Sequence, residues 1–367
     1  MQESEIIRVP MSGPGDVSQI ADLFDSGALN PQHIVAIMAQ TEGDPFCRGY
    51  ATLATEVLLS ERLDISRAEV FDRIPMLMIG GTGGIMSPHI NIFVKKPASK
   101  DGGQAKRLSL GVASSRELKP EELGTMVQVD LVADTVTAAM KDAAITDPLD
   151  VECVEIKCPA MTPQRVMEAQ SRNAKVVSTN AAAASSFAKG ASALGVAIAT
   201  GELQRDQVDD AKINTDKSLF SSVASTSAGG EQVACRAVVI GNVKGAPGQQ
   251  IASRGLMADQ LDVLGARKAF MGAGLEVKDG IVTEKDRSRV VSVFVNAGAD
   301  AVSAVRDNRH VLHSDFLAPF AGIQAKAVAH AVVASILGDT LFLASAGSEH
   351  QGPSGSNVMC VIAEAAS

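Results

Sequence analysis

Tryptophan is absent, tyrosine occurs once, and aromatic residues make up only 3% of the 367-residue chain. With 46% apolar and 20% charged residues the chain is not disordered, so its core must be built from Val, Ile, Leu, Ala and Met. No basic run interleaved with aromatics occurs, and the net charge of −9 leaves no cationic face for phosphates. Nucleic acid is therefore excluded as a partner. No apolar stretch reaches the roughly 18 residues that a bilayer span needs. The longest, AKAVAHAVVASILGD, is Ala-rich and ends at a charge, as a buried helix does. The five cysteines (Cys47, Cys153, Cys158, Cys235, Cys360) are odd in number and scattered, which fits neither a disulfide framework nor a zinc knuckle. The opening MQESEIIRVPMSGPG has no basic region followed by an apolar core, so no signal peptide is expected. Together these absences predict a soluble cytoplasmic protein of two or three domains, with no membrane partner.

What is present is repetition. VASTSAGGEQ, ASAGSEHQG and MIGGTGG spell one glycine turn three times, with isoleucine replacing serine in the last. Three β-branched runs read as strands that end at a polar residue: HIVAIMAQ at Gln40, VECVEIK at Lys157 and RVVSVFVN at Asn296. They lie about one small domain apart. Each precedes a helical segment opening with a cation, at Arg48, Lys189 and Lys326, then the glycine turn, then a closing strand (INIFVKK, CRAVVIGN, NVMCVIAEA). Further helices, MVQVDLVADTVTAAMKDA and ADQLDVLGARKAFMGAG, are predicted ahead of the second and third units. KKPASKDGG and NVKGAPGQQ are the joints. The pattern predicts an α+β fold of α/β-type repeats, with units at 1–104, 105–248 and 249–367. Such units either surround a pseudo-threefold axis with like positions around one cavity, or follow one another in a row.

Only the middle unit keeps both a lysine at the strand end, Lys157, and a serine in the turn, Ser227. A neutral lysine takes a serine's proton, and neutrality requires desolvation or neighbouring positive charge. The apolar strand around Lys157 supplies the first, and Arg48, Lys189 and Lys326 the second if they converge. Backbone N–H groups of SAGG are candidate oxyanion donors. The plainer reading is a solvated lysine and ordinary turn chemistry. IGGTGGIMSPH lacks the Lys-Ser/Thr pair of a phosphate loop, His310 and His313 lack a third metal ligand, and EHQGPSGS reads either as a Gly-Pro turn or as a wrap for a hard cation.

VECVEIKCPAMTP, AKGASALGVA, STSAGGE and SAGSEHQGP together, with LGVASSRELKPEELG and GGTGGIMSPH, resemble the ring-opening amidohydrolase family of cyanuric acid hydrolase and barbiturase over essentially the whole chain. The resemblance implies three similar domains around a pseudo-threefold axis enclosing one central active site, and a homotetramer. It implies a cyclic amide or imide as the small-molecule substrate, with Ser227 as nucleophile and Lys157 as its base, and no cofactor required for the chemistry. Substrate-binding positions fall on Arg48, Ile79, Gly80, Lys189, Ala228, Lys326, Ser345 and Ala346. A structural Mg²⁺ or Ca²⁺ would sit on the loop carrying Ser348, Gln351, Gly352, Pro353 and Ser356, but the family's glutamate ligand is Gly298 here, which weakens such a site.

The chain departs from the pattern at Gln40 and Asn296 for lysine, Ile79 for serine, and Lys189 and Lys326 for arginine. Lysine lacks the planar two-pronged grip of a guanidinium. Isoleucine on one edge of the site favours a ring with an apolar or substituted edge, because an unpaired ring polar group costs roughly 1–3 kcal/mol. The alternatives are a barbiturase-like hydrolase of a pyrimidine-derived or substituted imide, and a binding protein that kept the fold and lost turnover.

Overall fold

The computed structural model describes residues 2–81, 83–298, 302–314 and 316–366; Thr82, within the first glycine turn, lies outside them. The first unit contains β1 (Glu3–Pro10), α1 (Ser18–Asp25), β2 (Ile34–Thr41), α2 (Pro45–Leu63), α3 (Arg67–Arg73), β3 (Met76–Gly80) and β4 (His89–Lys96). The second contains β5 (Lys106–Glu117), α4 (Met126–Asp142), β6 (Val151–Pro159), α5 (Pro163–Ser171), α6 (Ala181–Ala199), β7 (Ala224–Gly229) and β8 (Ala234–Lys244). The third opens with β9 (Gln250–Met257) and α7 (Val263–Gly272), then a ribbon of β10 (Val277–Lys278) and β11 (Ile281–Val282) and the short α8 (Glu284–Arg287). It continues with β12 (Val290–Ala297), a ribbon of β13 (Ala304–Val305) and β14 (Asn308–Arg309), α9 (Ala321–Leu337), β15 (Leu343–Ala346) and β16 (Asn357–Glu364).

The three main sheets share one strand order: β1-β4-β2-β3, β5-β8-β6-β7 and β9-β16-β12-β15. In each, one pair is parallel (β2/β3, β6/β7, β12/β15) and the remaining pairs are antiparallel. A parallel pair needs a crossover, and α2, α6 and α9 supply it. Asp44 and Asn180 cap the first two of these helices, their side chains accepting from Phe46 N and Ala183 N.

The period-two alternation of the central strands divides their side chains between two cores. Ile37 and Ala39, Val154 and Ile156, and Val293 and Val295 face outward into three separate clusters under the helices. Met38, Cys153 and Phe294 face inward into one shared cluster, with Ile6, Leu77, Leu110, Val238, Leu343 and Cys360. The three sheets thus surround a common centre with the helices outside, which decides for the pseudo-threefold arrangement over domains in a row.

Three expectations are corrected. Each unit has an opening strand (β1, β5, β9) that the sequence pattern missed, because these strands are half polar: ESEIIRVP alternates buried and partly exposed residues. Consequently α4 and α7 lie inside their units rather than ahead of them. The cations do not open their helices either; Lys189 lies mid-way along α6, and Lys326 a turn into α9. Finally, two helices are long and apolar enough to cross a membrane, Ala181–Ala199 and Ala318–Leu337, with 56% and 50% of their apolar windows buried. Their apolarity is accounted for by packing on the sheets, where Ala188, Ala193 and Val196, and Val333 and Leu337, join the helix-side clusters.

Candidate active site

The strand ends that the sequence marked stand at one register position in each parallel pair: Gln40 beside Ile79, Lys157 beside Ser227, and Asn296 beside Ser345. Because side chains two apart share a face, all six follow the inward row of the central core. The three pairs occupy one equivalent position, and only the middle pair joins a lysine to a serine.

Lys157 is buried, and its ammonium reaches into the first unit, donating to the Met78 carbonyl at 3.4 Å. Burial lowers its pKa and nearby Arg48 adds to the shift, while Glu231 and Cys158 oppose it. The result is a lysine that gives up its proton more readily than one in water. Ser227, on the neighbouring strand, is half-buried.

Two of the residues at the equivalent positions, Gln40 and Asn296, hold hydrogen bonds of the fold. Gln40 Nε2 donates to Ile79 O at 3.1 Å and its Oε1 accepts from Ala344 N at 2.7 Å, so its amide links β3 to β15 of the third unit. Asn296 Nδ2 donates to Gly347 O at 2.9 Å. Gly80 makes room for Arg48: a Cβ there would lie 2.5 Å from its Nη1. A Cβ at Gly81 would lie 2.6 Å from the Thr41 carbonyl oxygen, a backbone atom that cannot swing aside, so this turn position is kept for glycine, whereas at Gly229 and Gly347 it would meet the mobile ends of Glu231 and Gln351.

A cavity of about 320 Å³ brings together Arg48, Ile79, Gly80, Lys157, Lys189, Ser227, Ala228 and Ala346, with Ser185 and Ala182 from α6. A second, of about 530 Å³, adjoins it through Arg48, Met78, Lys157, Ala160 and Ala228, and extends to Glu56 and Glu231. Lys326 and Ser345 do not line either cavity. Ser345 is buried beside Asn296. Lys326 is buried one turn from His330, and burial pushes it down to about 8.

Lys189 is not a free cation: its Nζ lies 2.7 Å from Glu349 of the third unit. Ser186 Oγ also donates to that carboxylate, at 2.9 Å. Burial raises the pKa of Glu349, but Lys189 and Ser186 outweigh it and hold the group ionised. Sequence reasoning missed both Glu231 and Glu349, although a signal was present, since each follows its retained serine by the same interval. It also missed Glu155, which pairs in register with Ser225 directly before Lys157 and Ser227 on the same face. Burial pushes Glu155 up to about 7, against hydrogen bonds with Ser225 and Cys153.

Residues 5–364 match the family described as amidohydrolase ring-opening protein. The chain belongs to this family. It is 40% identical to a cyanuric acid amidohydrolase of Enterobacter cloacae, over 99% of this chain and 100% of that protein. It is 38% identical to a cyclic amide hydrolase of Azorhizobium caulinodans, over 98% of both. A solved cyanuric acid hydrolase structure covers 100% of both chains with a TM-score of 0.92 at 36% identity. The fold is thus that of the ring-opening amidohydrolases, and the chain is an enzyme of that class.

The metal that the family resemblance implies does not fit the residues present in this ring-opening amidohydrolase. In the loop concerned, Gln351 Oε1 accepts from Thr226 N at 2.6 Å, and Ser356 Oγ donates to Pro353 O at 2.6 Å. Gly352 N donates to Ser221 O at 2.8 Å and Gly298 N to Ser356 O at 3.2 Å. The nearby carboxylate, Glu349, is committed to Lys189. Gln351 and Ser348 belong instead to a loop that seats the third unit on the second.

Proposed function

We propose that the enzyme hydrolyses a ring C–N bond of a cyclic amide or imide of the cyanuric acid or barbituric acid type. Ser227 Oγ attacks a ring carbonyl while neutral Lys157 takes its proton. Collapse of the tetrahedral intermediate breaks the C–N bond, and the Lys157 ammonium returns the proton to the departing ring nitrogen. Water, deprotonated by Lys157 in turn, cleaves the Ser227 ester and releases the opened product as a carboxylate. Arg48, at the junction of the two cavities, is placed to hold a ring carbonyl oxygen, and backbone N–H groups at Ala228 and Gly229 are candidate oxyanion donors.

One observation carries this reading: Lys157 and Ser227 stand side by side in register at the cavity floor, and no other unit keeps both residues. It is supported by the names of the relatives. The three units are divided at 104/105 and 248/249, each holding one four-stranded sheet.

Ile79 favours a substituted ring over cyanuric acid itself. It lines the cavity beside Ser227 where the third unit has Ser345. The tethered Lys189 leaves Arg48 as the guanidinium in the cavity, so a ring with three equivalent polar edges would find only part of its hydrogen bonding met.

Ultraviolet absorbance of cyanuric acid, barbituric acid and N- or C-substituted imides tests both statements. Ring opening that falls roughly 10²–10⁴-fold in Lys157→Ala, with a comparable or larger loss in Ser227→Ala, supports the dyad. Saturable binding without turnover of any ring would make the protein a binding homologue. Cyanuric acid opened as fast as every substituted ring would remove the role given to Ile79, and Ile79→Ser should raise the cyanuric acid rate.

A further inference from the structure

Directly before Lys157 and Ser227, on the same two strands and the same inward face, stands a second polar pair. Glu155 is matched in register with Ser225, as Lys157 is with Ser227. Both members are buried, Glu155 2% and Ser225 6% exposed. Cys153 Sγ donates to Glu155 Oε1 at 3.7 Å, and Ser225 hydrogen-bonds to the same carboxyl group.

The equivalent layer in the other units is apolar. Met38 and Leu77 occupy it below Gln40 and Ile79, and Phe294 and Leu343 below Asn296 and Ser345. A carboxyl group in an otherwise hydrocarbon layer is costly unless it is neutral and hydrogen-bonded. That it stands in the one unit that keeps the Lys-Ser pair argues for a connection between the two layers.

The groups that meet Glu155 are few. Cys153 is on its own strand, Ser225 on β7, and Cys360 of β16 lies against Cys153. Lys157 follows two residues later on the same face. While Glu155 holds its proton it adds no charge to the balance of burial, Arg48, Glu231 and Cys158 that keeps Lys157 easy to deprotonate. If it ionised, a negative charge would stand one layer beneath the lysine and stabilise the ammonium.

We propose that Glu155 is a positioning residue of the active site: as a neutral acid bridged to Ser225, it fixes β6 against β7 and keeps Lys157 available as a base. The proposal rests on the Ser227/Lys157 reading for its catalytic consequence, but not for the coupling itself. In the enzyme, kcat/KM rises as Lys157 loses its proton, and a charge on Glu155 moves that rise to higher pH without reversing it. At two residues' separation along a strand, the charge would shift the Lys157 protonation equilibrium by roughly tenfold.

The test is the pH profile of ring opening for the parent, Glu155→Gln and Glu155→Met, the last being the first unit's own residue. Alongside it, the protonation of Lys157 is followed by NMR of ¹³Cε-lysine in Ser227→Ala and in Ser227→Ala with Glu155→Gln. Glu155→Gln, permanently neutral, is expected to move the rise in kcat/KM and the Lys157 midpoint together to lower pH, by up to roughly tenfold in proton affinity. If Glu155→Met does not fold, Glu155→Gln alone carries the comparison. A Lys157 midpoint that moves while no ring is opened supports the coupling and overturns only the proposed reaction. Ring opening with an unchanged pH profile and an unchanged Lys157 midpoint overturns the positioning role and leaves Glu155 a structural residue.

Discussion

Glu155 is a residue whose protonation the fold itself must control. A glutamate in the unfolded chain ionises near 4.5 and the folded group near 7, so the folded state binds the proton more tightly. Its contribution to stability is therefore full below about pH 4.5 and is lost as the pH rises through the folded value, amounting to about 3 kcal/mol across that window. Buried Lys157, whose affinity for a proton is lowered, works in the opposite direction, with stability gained as the pH rises. Comparing the parent with Glu155→Gln sets the glutamate apart from the lysine, save for the roughly tenfold coupling between the two. Urea unfolding should show Glu155→Gln more stable than the parent at pH 8, with the advantage shrinking steadily toward pH 5. An advantage that is the same at both pH values would show that Glu155 is already paired in a way burial does not describe.

At the scale of elements, a glycine lets a helix of the second unit lie close on its sheet. Gly111 of β5 lies under α4, where a Cβ would press into the Ala139 carbonyl and the Ala143 amide. Both are backbone atoms that cannot swing aside, so Gly111→Ala should destabilise the protein by about 1–3 kcal/mol through overpacking. Its effect should fall on stability and not on the pH profile of activity, and a denaturation midpoint equal to the parent's would mean that α4 is free to slide. This strand is also one that the sequence did not reveal. The central strands β2, β6 and β12 were legible because both their faces are buried, which leaves runs of β-branched residues. The opening strands β1, β5 and β9 carry polar residues on one face and read as loops. The same division holds at the site. Lys157, Ser227, Arg48 and Ile79 were legible from the triplicated phrase, since a repeat shows which position has lost its function. The tether of Lys189 to Glu349 was not, because it joins α6 to the far end of the chain. Neither was the burial that separates Lys326 from the cavity.

The whole molecule is held at its centre by side chains that belong to two units at once. Gln250 of the third unit brackets Ile6 of the first, its Oε1 accepting from the amide at 2.8 Å and its Nε2 donating to the carbonyl at 3.0 Å. Asn242 of the second unit does the same for Ala252 of the third, at 2.9 Å and 2.8 Å. Leu110 N donates to Ser4 Oγ at 3.2 Å across the remaining seam. These buried amides satisfy backbone groups at sheet edges that have no further strand to pair with, and they sit around the central cluster to which all three sheets contribute. A unit that opened alone would expose its share of that cluster and strip partners from its neighbours. Asn242→Ala leaves the Ala252 amide and carbonyl unpaired and should cost about 1–3 kcal/mol. The loss should appear equally in the most protected amides of β2, β6 and β12 by native-state hydrogen exchange. Protection lost in the second and third units but kept in β2 would show that the first unit holds its fold without the others. The active site would then depend on docking, since Lys157 donates to Met78 of that same first unit.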